Sequence, residues 1–194
     1  MKTFRDSFEE NYMAYEEPCR NKRGFRIRYE YVGDWYAYLP EKGKRQRCKY
    51  TLCGLCLLGT AFFLLAALRK CELNYGSFPV LFSGLSLAAM LFEWYGVIRF
   101  AVSGDRLTEH SFKEINGMLR IAPWLAGLLS IGAAVSCVYT MLSGGLSISL
   151  TTVPVCYLLS GICSGLTAFF YRAMPYEKQR NLASKDSSKK FIHM

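Results

Sequence analysis

Histidine is almost missing from this chain. Two occur in 194 residues, His110 and His193, and neither lies in an apolar run. Haem held between imidazoles inside an apolar bundle is therefore excluded. A zinc site built from Cys19, Cys48 and His110 would lack a fourth ligand. The phosphate-cradling loop, the dinucleotide fingerprint and the nucleophile motifs are absent as well. We accordingly expect no metal, no cofactor and no catalytic residue. An apolar stretch at the start is also missing. The first begins only at Thr51, so no signal peptide is expected. Acid is scarce beyond the first quarter of the chain: residues 1–50 hold eight of the fifteen Asp and Glu, and Glu93 alone stands inside an apolar run.

What the chain does have is hydrophobic length. Four runs stand out, 51–68, 78–102, 121–142 and 148–171, each of 18 or more residues. At about 1.5 Å per residue, each is long enough for a hydrocarbon core of about 30 Å. In lipid a segment must satisfy its own backbone N–H and C=O groups, which selects helix over strand. The expected fold is an all-α membrane protein with four transmembrane helices, over about 51–69, 78–102, 120–142 and 149–171. Pro79 and Pro123 fit first-turn positions, and Pro154 marks either a kink or a later start of the fourth helix.

The basic residues give an orientation. Lys and Arg number twelve in the N-terminal segment, four in or beside the link between the second and third runs, and six at the C-terminal end. The opposite side has only Arg69 and Lys70. Twenty-two against two places both termini in the cytoplasm by the positive-inside rule. That bias explains most of the net charge of +9, and no nucleic-acid partner is expected. The links on the other side, KCELNYGS and SGGLSIS, are too short for a folded ectodomain.

The first 49 residues read as a structured cytoplasmic segment. Phe4, Phe8, Tyr12 and Tyr15 share one arc at helical spacing, predicting a short amphipathic helix over about 4–17 that ends at Pro18. Its charged face is acidic, which favours packing on the rest of the segment or on a partner protein over binding anionic lipid. Phe25, Ile27, Tyr29 and Tyr31 alternate with charged residues, predicting a strand. Gly33-Asp34 offers a turn and Trp35–Leu39 a return strand, giving a hairpin over about 25–39. Residues 41–49 form a basic anchor before the first span, and the tail 173–194 is expected to be cytoplasmic and partly disordered.

Three motifs remain. Cys53 and Cys56 form a C-x-x-C that resembles those of membrane thiol oxidoreductases, but the charge rule puts them on the reducing side, so that activity is not carried over. Gly161 and Gly165 form a GxxxG, and Gly84 with Ala88 a small-xxx-small pair, both suited to close helix packing. The last is the lone acid, Glu93, with Arg99 six residues on. At 100° per residue the two side chains stand about 120° apart, so they are not expected to pair. Partners for Glu93 are sought instead among Ser130, Tyr139, Thr140, Tyr157, Ser160 and Thr167. A single intramembrane carboxyl resembles that of small proton-coupled multidrug exporters, which place theirs in the first of four helices; here it lies in the second.

These readings describe a multi-pass protein of a bacterial inner or plasma membrane. The bilayer is its first partner, with a protein partner or further copies of itself as the second. The expected role is a non-enzymatic membrane component or accessory subunit acting through partner binding or self-association. The alternative is a small oligomeric transporter or ion conduit using Glu93.

Overall fold

The computed structural model describes residues 11–18, 24–39, 42–144, 151–172 and 174–179. Among them are four long helices: α1 (Lys42–Ala67), α2 (Ser77–Val102), α3 (Glu109–Gly144) and α4 (Thr152–Arg172). All four are long and apolar enough to cross a membrane. Many of their large apolar side chains are exposed, among them Leu57, Leu65, Leu81, Leu91, Leu128 and Phe169. Such a surface is a liability in water and the expected one in lipid.

The helix ends follow local chemistry. α2 has Pro79 at its third position, where a missing N–H costs nothing, and closes at Ser103, whose N–H bonds the carbonyls of Arg99 and Phe100 at 3.1 and 3.2 Å. α3 starts a dozen residues before its apolar run, with Thr108 Oγ1 accepting the Ser111 N–H at 3.3 Å as a start signal. Pro123, expected in a first turn, is therefore interior to α3. Pro154 instead sits in the first turn of α4, which resolves its two sequence readings in favour of a later start. Between α1 and α2 lies a single 3-10 turn, Glu72–Tyr75, whose Asn74 amide donates to Ala66 and Arg69 carbonyls at 2.8 Å and so caps α1.

Packing divides the described residues into two units. The larger takes Leu39–Gly104 and Lys113–Pro175. Its core at the Ala66 end joins Phe63, Leu73, Met90, Cys137, Val153 and Tyr157. Small residues allow α3 and α4 to approach closely: a Cβ on Gly161 would stand 2.9 Å from the Gly127 carbonyl oxygen.

The smaller unit takes Met1–Tyr38, Asp105–Phe112 and Tyr176–Met194, and its described part holds two sheets. One is a ribbon of β1 (Tyr12–Pro18) and β2 (Phe25–Tyr31), antiparallel, with Tyr12 opposite Tyr31 and Ala14 opposite Tyr29. The other has β3 (Trp35–Tyr38) between β4 (Arg106–Thr108) and β5 (Tyr176–Gln179), antiparallel to both.

Two expectations are corrected here. The amphipathic helix over 4–17 fails in its second half, since Tyr12–Pro18 is strand; residues 4–10 lie outside the described residues. Tyrosines at helical spacing also suit a strand when a partner ladder is at hand, and Phe25–Tyr31 provides one. The hairpin over 25–39 does not form either: β2 turns to β1, and β3 to β4 and β5. The tail 173–194 contributes a strand, Tyr176–Gln179, which its partly disordered reading leaves room for; residues 173 and 180–194 lie outside the described residues.

Aromatic rings fill this unit. Tyr36 stacks on Phe112 at 4.1 Å, Phe112 meets Tyr176 edge-on at 5.0 Å, and Tyr31 meets Tyr12 and Trp35 at 5.3 and 4.9 Å. The Tyr31 hydroxyl donates to the Asp34 carbonyl at 2.8 Å and accepts the Glu109 N–H at 3.0 Å. Tyr31→Phe is expected to cost about 1–2 kcal/mol, two bonds at ordinary net worth, and to speed amide exchange at Glu109. Burial pushes the Tyr31 phenol above its ordinary value. Its contribution is therefore complete below the unfolded pKa and is lost as pH rises through the folded one.

Candidate functional site: a buried carboxyl beside a hydroxyl face

Glu93 points inward from α2 and is 1% exposed. The Ser164 hydroxyl of α4 donates to its Oε2 at 2.9 Å, whereas Oε1 has no hydrogen-bond partner among the described residues. Thr167 faces it from one turn further along α4, and the thiols of Cys56 on α1 and Cys163 on α4 lie within electrostatic reach. No described basic side chain pairs with it.

The face of α4 that receives this acid is a row of hydroxyls. Tyr157, Ser160, Ser164, Thr167 and Tyr171 recur every three or four residues, and each is buried. Over fourteen residues such a row runs about 21 Å along a helix. Tyr157 at one end reaches Asn74 at 3.4 Å; Thr167 donates back to the Cys163 carbonyl at 3.1 Å. Ser160, with an exposure of 0%, has a hydroxyl oxygen with no partner among the described residues. Beside the acid, the Trp94 indole N–H donates to Thr60 Oγ1 of α1 at 2.8 Å, holding α1 against α2.

Arg99 takes no part. Its guanidinium pairs with Glu114 of α3 at 2.7 Å on a partly exposed face, where the Tyr95 hydroxyl also bonds Glu114. The 120° separation read from the sequence keeps it from Glu93. The other proposed partners disperse too. Ser130 bonds Ser86 at 2.6 Å, Thr140 returns to the Ser136 carbonyl at 2.9 Å, and Tyr139 is exposed. Thr167 does face the acid, but the direct donor is Ser164, which lies inside the GxxxG and is not among the partners sought from the sequence. The 3–4 spacing of hydroxyls along α4 was the signal that could have found it.

Among the packing residues, Gly161 meets the backbone of Gly127, while Gly165 and Gly84 have open space where a Cβ would go, and Ala88 is exposed. Cys53 and Cys56 are free thiols on consecutive turns of α1, the second buried. Cys71, which the sequence left without a mate, lies within electrostatic reach of Cys137.

No protein-family model, curated protein or solved structure matches the chain. Function therefore rests on what these side chains can do. Among the described residues the site is a solitary carboxyl among hydroxyls and thiols. What it can do is hold a proton and accept or donate hydrogen bonds.

Proposed function

We propose that this chain is a multi-pass membrane component with both termini in the cytoplasm, working by binding a protein partner or a second copy through its small aromatic unit. One observation carries the reading. On the β1–β2 ribbon, Ala14, Ile27 and Tyr29 share one face by register with Glu16, which stands opposite Ile27, and Ile27 and Tyr29 are 52% and 56% exposed. A two-stranded ribbon is marginal by itself in water, and the exposed Ile27 and Tyr29 side chains suit it to an occupant. The twenty-two basic residues assigned to one side by the sequence support the cytoplasmic placement.

The test is the mass of the particle solubilised in mild detergent, for the wild type and for a variant carrying Ile27→Lys and Tyr29→Lys. Loss of an anchoring aromatic costs about 2 kcal/mol, so affinity should drop roughly thirtyfold. The complex is then expected to fall apart while the helical far-ultraviolet signal is kept. A wild-type particle of monomer mass, or an unchanged complex in the variant, would end this reading.

A further inference from the structure

We infer that Glu93 is a reversible proton-binding site, reached through the hydroxyl-lined face of α4. The inference stands apart from any docking at the ribbon and rests on the interior of the helical unit. Three observations converge. Glu93 is 1% exposed and accepts the Ser164 hydroxyl at Oε2, with Thr167 beside it, while Oε1 has no partner among the described residues. A second unpartnered oxygen, on the fully buried Ser160, lies one turn along the same row. No described cation faces the acid: the titratable groups that do are the thiols of Cys56 from α1 and Cys163 from α4.

An ionised carboxylate in these surroundings would be an isolated charge, which is costly in a protein interior and costly again within a span. Binding a proton removes that charge. It also turns one carboxyl oxygen into a donor, which gives the idle oxygen a use. A metal cation fits worse. Hard cations gather six or more oxygens, and here two of the flanking groups are thiols. The row from Tyr157 to Tyr171 provides donors and acceptors on either side of the acid along the length of α4. Side chains one turn apart on a helix have Cβ atoms about 5–6 Å from each other, close enough for a water to bridge the short hydroxyls of Ser160, Ser164 and Thr167.

The full-length protein in phosphatidylcholine vesicles provides the test, with dicyclohexylcarbodiimide as the probe. This apolar reagent adds to a carboxylic acid and not to a carboxylate, and the adduct is mapped by peptide mass spectrometry. In the wild type an adduct is expected on Glu93 at mildly acidic pH, and its yield is expected to be lost as pH is raised. In E93Q the adduct at this position is gone. The wild-type mapping is decisive even where E93Q fails to fold, and Glu93→Asp, which keeps an acid, should retain a pH-dependent adduct. Absence of an adduct at every pH, or a yield that ignores pH, would overturn the proposal. So would protection by sodium at constant pH, which would mark a cation site.

Discussion

Gly161→Leu is expected to prevent α3 and α4 from closing on each other, with the largest stability loss of any single change in the helical unit. A Cβ on Gly161 would stand 2.9 Å from the Gly127 carbonyl oxygen and 3.1 Å from Ile131 Cγ1. The first obstacle is backbone inside a helix and cannot swing aside. The contact is mutual, since a Cβ on Gly127 would stand 3.1 Å from the Gly161 oxygen. Overpacking a core by a few methylenes costs about 1–3 kcal/mol; a leucine set against the Gly127 backbone and the Ile131 side chain belongs at or above the upper end. Gly161→Ala should fall lower in the same range.

Gly165 is the internal control. It is the other glycine of the GxxxG, one turn along α4, and a Cβ added there would meet nothing within 4 Å. Gly165→Ala should be neutral or stabilising by up to about 1 kcal/mol, through helix propensity alone. The measurement is the unfolding midpoint in mixed detergent micelles, read by circular dichroism. Equal losses at 161 and 165 would show that the contact across Gly127 contributes nothing special.

That split shows what local sequence can and cannot carry. Four long apolar runs announce four helices because hydropathy accumulates over twenty residues, and the structure has four helices long and apolar enough to cross a membrane, two of which start well before their apolar runs. Gly161 and Gly165 look alike as letters; only the facing helix distinguishes them, and Gly127 carries no mark of its own. Glu93 was legible because one acid in an apolar run is conspicuous. Its donor Ser164 was not, because a serine between two glycines reads first as a small packing residue. The three-stranded sheet was least legible. β4 and β5 are three and four residues long, too short for a period, and they pair with a β3 that precedes α1. Nothing within Trp35–Tyr38 identifies partners from beyond the first two helices and beyond the last.

Removing Arg45 and Lys49 together is expected to cost about 3 kcal/mol, well beyond the effect of lost charge. From the sequence, residues 41–49 are a basic anchor that sets orientation. Two of these cations have a second task. Arg45, 6% exposed, donates to the Ser103 carbonyl at 3.1 Å and to the Gly104 carbonyl. Lys49, one turn on, donates to the Ala101 and Ser103 carbonyls at 2.8 and 2.7 Å and lies 5.9 Å from the Phe100 ring. Ala101 lies in the last turn of α2, where helix geometry leaves carbonyls without an amide partner and the macrodipole is negative, and Ser103 and Gly104 follow directly after its end. Hydrogen bonds from charged donors are worth about 1.5–3 kcal/mol each, and two capping cations spaced i,i+4 act on the same few acceptors, so their losses overlap. The comparison that isolates capping is Lys44→Ala with Arg47→Ala, on the same helix turn, both exposed. Each double variant removes two positive charges from the same segment. If the segment only anchors orientation, the two variants should behave alike in unfolding and in the accessibility of the termini. If Arg45 and Lys49 hold the end of α2, only their loss should lower the midpoint and speed amide exchange over the last turn of α2, with orientation kept. Equal midpoints would reduce the contacts to bystanders; unequal ones would make a single basic segment both the topological signal and the clamp that joins α1 to α2.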